Sequence, residues 1–341
     1  MAPKMKRGIP TLLFAIAVGV TTGGGQPVSL ADGTTQSPQP HLFGEGVVST
    51  RDDELGGSFS PDGKDLYFAK RTPATIDSSL ITICVSHFEN GRWGRPRIAS
   101  FSGQYLDFSP SVSPDGSKLV FSSIRPRDGK PAAGTDLWLV ERRSDGTWSE
   151  PHPLGAPINT DAPEQNARMA ADGTLYFASS RPEGKGSSDL YRSRLIDGRY
   201  GEPENLGDAI NTENAETNPW IAPDQSLLIF ASNGRPDAAA GAGAPYPRSD
   251  LYVSFNHDGT WTSARRLPFP INTEATESTP FVSPDGRSLF FMSERNFTSI
   301  PMPAKLTYEE LQTRLGRPGN GLGDIYEVDF SVVEGSRKAE R

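Results

Sequence analysis

Five carboxylates and five arginines recur along this chain at spacings that invite a chemical reading. The acids Glu54, Asp107, Glu164, Glu216 and Glu277 each stand seven residues ahead of a tight-turn signal, and Arg71, Arg125, Arg181, Arg235 and Arg295 follow the start of that turn by ten to twelve. The turns are Pro61-Asp62-Gly63, Pro114-Asp115-Gly116, Ala171-Asp172-Gly173, Pro223-Asp224-Gln225 and Pro284-Asp285-Gly286. A ring of acids could hold a hard cation such as calcium, meet a basic peptide, or supply a glycosidase's carboxylate pair. The plainer chemistry is an arginine forked between carboxylates, pinning a loop to its scaffold. Each acid has an arginine in reach, and a binding site seldom needs five identical copies, so the structural use carries more weight.

No other cofactor or catalytic constellation is indicated. His41, His87, His152 and His257 fall at unrelated positions of the repeat, and neither a Gly-x-Ser-x-Gly elbow nor a phosphate-binding Gly-Lys-Ser/Thr loop is present.

The element that must position these residues is a repeat of roughly 50–60 residues, the signature of a radial or solenoid array. In the third copy the run from Glu164 leads into the Asp172-Gly173 turn, and Thr174-Leu175-Tyr176-Phe177-Ala178-Ser179 reads as the returning strand. A third strand opens at Asp189-Leu190-Tyr191, and Asp197-Gly198 turns into a fourth. Four antiparallel strands make one propeller blade. Third strands start equivalently at Asp136, Asp250 and Asp324, with Ser79-Leu80-Ile81 in the first copy. Trp93, Trp148 and Trp261, just past the second turns, read as packing residues.

The hairpin geometry predicts charge groups Glu54–Arg71 with Ser79, Asp107–Arg125–Asp136, Glu164–Arg181–Asp189, Glu216–Arg235–Asp250 and Glu277–Arg295–Asp324, all on one rim. Between arginine and third strand the copies hold 7, 10, 7, 14 and 28 residues, so the long inserts share that rim. The fourth insert carries Tyr246. The fifth predicts a short helix with Thr307 as cap, Glu310 three residues on, and Tyr308, Leu311 and Leu315 on one face lying over the mouth. Loops on a rigid scaffold are a usual seat of specificity, which makes these residues binding candidates.

The fifth copy lacks a fourth strand. The runs ending Ile158-Asn159-Thr160, Ile210-Asn211-Thr212 and Ile271-Asn272-Thr273 precede Glu164, Glu216 and Glu277 at the offset at which residues 42–50 precede Glu54. Residues 40–50 are therefore expected to complete the last blade and close a ring of five.

The cassette resembles the WD40-like repeat of TolB-type periplasmic propellers. The likeness rests on Ser58-Phe59-Ser60-Pro61-Asp62-Gly63-Lys64-Asp65-Leu66-Tyr67-Phe68, on Val112-Ser113-Pro114-Asp115-Gly116-Ser117-Lys118-Leu119-Val120-Phe121, and on the matching run from Phe281 to residue 291. It covers nearly all of 40–333. It implies an all-β, periplasmic binding propeller, although TolB-type rings usually have six blades, and TolB's separate N-terminal domain has no counterpart here.

Residues 1–31 read as a secretory signal: Lys4, Lys6 and Arg7, an apolar run from Ile9, and Ser29-Leu30-Ala31 for cleavage. A run of about a dozen apolar residues is short for a membrane span, which needs about 20. Removing three positive charges would take the net charge from −8 to −11, which argues against nucleic acid and against stable association with an anionic membrane. The expected organisation is signal 1–31, linker 32–39, one propeller 40–333 and a disordered tail 334–341. The single cysteine, Cys84, in a strand-like run, reads as a packed thiol. The expected function is a monomeric, periplasmic or secreted, non-catalytic scaffold that binds a protein, peptide or cell-envelope glycan through its loop-bearing rim. The other reading is a carbohydrate hydrolase or lyase using carboxylates at the central mouth.

Overall fold

Three of the five tight-turn signals close their hairpins by the same side-chain chemistry. The Ser60 hydroxyl donates to Asp62 at 2.6 Å, the same carboxylate accepts the Lys64 amide at 3.1 Å, and the Gly63 amide reaches the Ser60 carbonyl at 2.8 Å. Ser113 with Asp115 and Ser283 with Asp285 repeat the arrangement. The third turn residue is left-handed, which glycine adopts without strain; Gln225 takes the same conformation at φ 61° in the fourth turn.

The computed structural model describes residues 38–72, 80–127, 129–238, 248–296 and 305–338. The expected signal segment, Ser79 and Tyr246 lie outside the described residues. Hairpin by hairpin, the chain builds five antiparallel sheets arranged as the blades of a propeller. Blade 1 runs Asp53–Phe59, Asp65–Arg71, Ile81–Glu89 and Arg97–Ile98 from first strand to fourth, and blade 2 Asp107–Val112, Lys118–Ser123, Asp136–Glu141 and His152–Pro153. Blade 3 comprises Glu164–Met169, Leu175–Ser179, Asp189–Ser193 and Glu204–Asn205; blade 4 Ala215–Ile221, Leu227–Asn233, Ser249–His257 and Arg265–Arg266. In blade 5, Glu277–Val282, Ser288–Ser293 and Asp324–Asp329 are joined by His41–Leu42 from the other end of the chain, with His41 opposite Glu327 and Leu42 opposite Tyr326. The first strands touch in ring order, and that of blade 5 meets that of blade 1. The ring is thus five-bladed and closed by the N-terminal strand, as the repeat predicts.

Packing between blades explains why closure is stable. Phe43, which follows the closing strand, meets Phe290 at 4.9 Å and Trp93 at 5.7 Å between ring centroids, with Phe59 completing the cluster at the seam of blades 5 and 1. Such aromatic pairs contribute roughly 0.5–1.5 kcal/mol each beyond area burial. The later tryptophans do the same between neighbours: Trp148 donates to the Tyr67 hydroxyl at 3.0 Å, and Trp261 stands edge-on to Tyr176. Cys84 is buried at the blade 1 seam, and burial pushes its thiol above the ordinary range.

Every first strand carries a bulge two to four residues after its acid. Ser109, Asn166, Asn218 and Thr279 adopt left-handed backbone there, at φ between 46° and 58°. A bulge re-aims side chains and carbonyls, here toward the channel lined by the first strands. Gly56 holds the equivalent place in blade 1, where an added Cβ would stand 2.3 Å from Thr279.

The C-terminus departs from expectation. Over residues 334–338 of the expected disordered tail, the chain continues helix α2 (Ser331–Lys338), which starts after Phe330 because Val333 has an apolar seat: it is 1% exposed within the core of blades 4 and 5.

Candidate functional site

The repeated acids begin the first strands, so they share one rim; the Pro-Asp-Gly-type turns lie on the other. On the acid rim the connection between blades binds both its neighbours. The Asn159 side chain exchanges hydrogen bonds with the Leu137 amide and carbonyl of blade 2 at 2.8 and 3.0 Å, while the Thr160 amide and hydroxyl donate to Glu164 of blade 3 at 2.8 and 2.6 Å. Asn211-Thr212 and Asn272-Thr273 repeat this with Glu216 and Glu277. Ser102 serves Ile83 and Asp107.

The arginines complete the clamps in four blades. Arg125 reaches Asp107 at 2.9 Å, Arg181 reaches Glu164 at 3.3 Å, Arg235 reaches Glu216 at 3.2 Å and Arg295 reaches Glu277 at 3.3 Å. Each also donates to a connection carbonyl, of Phe101, Ile158, Ile210 and Ile271 respectively. Their guanidinium groups lie over aromatic rings of the second and third strands: Phe121 and Trp138, Phe177 and Tyr191, Phe230 and Tyr252, Phe291 and Tyr326. The acids are fully buried. Burial raises the Glu277 carboxyl above its usual range.

Two expectations about these groups need correction. Glu54 does not pair with Arg71. Glu54 lies opposite Lys70 in the hairpin and bonds it at 3.0 Å, while Arg71 lies opposite Asp53 and bonds that at 2.6 Å. In blades 2, 3 and 5 the arginine stands two residues past the acid's cross-strand partner, a serine; Arg71 stands one past, and successive strand residues face opposite ways. Nor do the arginines fork to the third-strand acids. Asp136 meets Arg127 at 3.5 Å, Asp250 meets Arg266 at 2.8 Å, and Asp189 accepts the Lys185 and Gly186 amides and the Asn205 side chain. Asp324 accepts the Gly319 amide at 2.7 Å, leaving Oδ1 buried without a partner. Burial, with Glu54, Asp53 and Glu45 nearby, pushes its carboxyl up to about 7.

The inserts give a mixed outcome. Helix α1 (Tyr308–Leu315) forms with the expected capping box of Thr307 and Glu310, but it buries no residue, and Tyr308, Leu311 and Leu315 are exposed. It therefore does not plug the mouth by packing. A polar cleft of about 910 Å³, with Arg248, Glu274 and Glu294 among its walls, lies on this rim between blades 4 and 5. Among the described residues, no group of three or more His, Cys, Asp or Glu could hold a metal ion.

The opposite rim opens onto a central cavity of about 540 Å³, lined from all five first strands and from Phe330, Val333 and Glu334 of the C-terminal segment. Pro61, Pro114, Pro223 and Pro284 of the turns frame it. Its deepest lining residues all stand four places after their acids: Ser58, Ser111, Arg168, Trp220 and Phe281. Arg168, 8% exposed, crosses the channel from blade 3, donating to the Pro110 carbonyl of blade 2 at 2.6 Å and the Gly57 carbonyl of blade 1 at 3.2 Å. Gly57 and Pro110 share one repeat position, three residues after the acid and at the bulge, and the carbonyl at that position meets Arg168 in both blades. No carboxylate pairs with Arg168 among the described residues, and burial pulls its guanidinium down to about 10, leaving it charged at neutral pH.

Sequence reasoning missed this cavity. The signal was a residue that breaks the repeat: arginine where the other copies have serine or an aromatic.

No family model and no curated protein matches the chain. Among solved structures it is similar to "putative TolB" from Agrobacterium tumefaciens, at 16% identity over 86% of this chain and 99% of that one, with a TM-score of 0.47. It is similar also to the catalytic domain of a GH62 alpha-L-arabinofuranosidase from Coprinopsis cinerea, at 10% identity, 86% and 97% coverage and a TM-score of 0.48. Hydrazine synthase of Kuenenia stuttgartiensis matches at 12% identity, 74% and 76% coverage and a TM-score of 0.42. Identities this low bear on neither activity nor ligand.

Proposed function

We propose that the protein is an exported, non-catalytic binding propeller that holds a cell-envelope ligand at the central cavity of its turn rim. The observation that carries this reading is the contrast between the two rims. On the loop-bearing rim the repeated charges are buried in clamps between blades, with their hydrogen bonds directed to the scaffold. On the turn rim a cavity of about 540 Å³ stands open, within the roughly 300–1,000 Å³ common for ligand sites, and combines an apolar wall with a few convergent polar groups. The loop rim, favoured by the sequence pattern, becomes the competing docking face.

The experiment is capture from a cell-envelope extract by wild-type protein, by Glu334→Trp, which fills the cavity's lip, and by a variant lacking residues 305–320. The reading expects Glu334→Trp to lose the captured species and the loop deletion to keep it. The reverse pattern would move the site to the loop rim.

Carbohydrate cleavage is the second reading, and the cavity wall narrows its candidates to Asp224 and Glu334, the two carboxylates among the described residues that line it. Asp224 is tied to the Ser226 amide and hydroxyl at 3.0 and 2.6 Å, a turn-forming role that weighs against catalysis. Glycan turnover abolished by Glu334→Gln, with folding retained, would establish this reading instead.

A further inference from the structure

The ring of residues at the cavity floor divides into two halves. Ser58, Ser111 and Arg168 from blades 1 to 3 are polar, and Trp220 and Phe281 from blades 4 and 5 are aromatic. The partly exposed Phe59 and Phe330 extend the apolar half, backed by the buried Phe255 and Val333. Among the described residues, Arg168 is the only cationic side chain in the lining. Of its five N–H bonds, two are taken by the carbonyls of Gly57 and Pro110. A guanidinium held over nine-tenths buried, with donors to spare and no carboxylate beside it, is an uncompensated charge in a site that also offers apolar surface.

We infer that the cavity takes a small organic monocarboxylate with an apolar body, its carboxylate on Arg168 and its body against the partly exposed Trp220 and Phe59. This rests on the cavity being the binding site, and it adds the chemistry of the ligand. Charge stoichiometry selects the class. One guanidinium neutralises one negative charge, whereas a phosphate dianion would leave a second charge uncompensated beside aromatic rings. Carboxylate oxygens match the fork of a guanidinium, and Ser58 and Ser111 line the same cavity. The acidic residues of the lining, Asp224 and Glu334, belong to a turn and to the helix beside the mouth, at the opposite end of the cavity from Arg168.

The test is calorimetric titration of the full chain with 4-phenylbutyrate and with its neutral amide. The acid should bind at least about tenfold more tightly than the amide, the increment expected of charge-assisted hydrogen bonds. Arg168→Gln should erase that preference, and Arg168→Lys should keep part of it. Equal binding of acid and amide to the wild type overturns the inference and leaves the cavity as a binding site. Binding of neither overturns the inference, while the cavity as a binding site stands or falls on the capture experiment. A free-acid Ala-Ala-Phe peptide that binds where phenylbutyrate does not would reassign the site to a polypeptide chain end and also overturns the inference. Should Arg168→Gln fail to fold, as judged by its melting profile, the wild-type acid-to-amide ratio decides alone.

Discussion

Ser49 and Ile325 exchange a reciprocal pair of hydrogen bonds: the Ser49 hydroxyl donates to the Ile325 carbonyl and accepts the Ile325 amide, both at 3.0 Å. In three other blades an asparagine makes the equivalent pair with the third strand, at Leu137, Leu190 and Leu251. There the two partners belong to one continuous blade. Here they join the two ends of the chain. Ser49→Ala leaves the buried Ile325 amide without its acceptor and is expected to cost about 1–3 kcal/mol. Removing residues through 50 also strips Phe43 from its aromatic cluster and should cost more. Urea denaturation of both variants checks this, and a truncated chain that unfolds at the wild-type midpoint would refute closure by this segment.

The corrected pairing in blade 1 gives a contrast between two arginines of the same repeat. Arg181→Ala strands the fully buried Glu164 and is expected to destabilise by about 3–5 kcal/mol. Arg71, whose side chain is 41% exposed, should contribute only about 0–1 kcal/mol through its pair with Asp53. Equal losses in chemical denaturation would show that the blades are clamped alike after all.

Asp324 makes stability depend on pH. Its carboxyl titrates near 7 when folded, against an ordinary value of 3.8, so between these values the folded chain holds a proton that the unfolded chain releases. Its contribution therefore favours folding in full below the unfolded value and is lost as pH rises through about 7. Glu54 and Glu277, also raised by burial, act in the same direction. Asp324→Asn keeps an acceptor for the Gly319 amide while removing the titration. The variant should flatten the decline between pH 4 and 7 and be more stable than wild type above pH 7. Melting curves across that range that run parallel for the two proteins would contradict the assignment.

Arg168→Met tests whether that arginine serves the scaffold or a ligand. Replacing an uncompensated buried charge by an apolar side chain of similar length is often neutral or stabilising. The expected result is an unchanged or higher melting temperature together with loss of the preference for a carboxylate over its amide. A fall of several degrees would make Arg168 a strut between blades 1, 2 and 3.

Much of this ring was legible because turn chemistry is local. Asp and Gly at fixed offsets closed the hairpins, alternation marked the strands, and the Ile-Asn-Thr runs identified Val48-Ser49-Thr50 as their counterpart, which placed the closing strand. Facing was less legible. Whether Arg71 meets Glu54 depends on a single residue of register, and a spacing of ten residues accommodates either partner. The third-strand acids were misassigned because their actual partners, such as Arg127 and Arg266, lie outside the repeated positions. The cavity was illegible for a related reason: Arg168 is a change of residue type within an unchanged spacing. Helix α2 was hidden because its apolar anchor, Val333, at the end of the expected propeller, has meaning only beside the core that receives it.

Pairing His41–Leu42 with Asp324–Asp329 also sets the order in which the molecule can assemble. A chain emerging from its N-terminus offers the closing strand first and its partner nearly last, so blade 5 stays one strand short while blades 1 to 4 can form from neighbouring sequence. The entropic cost of joining such distant segments grows only slowly with the length between them. The burden falls on kinetics, because contacts of high sequence separation slow folding. Until they meet, the partly assembled ring exposes the open edge of Asp324–Asp329, so synthesis and aggregation compete over a single missing strand.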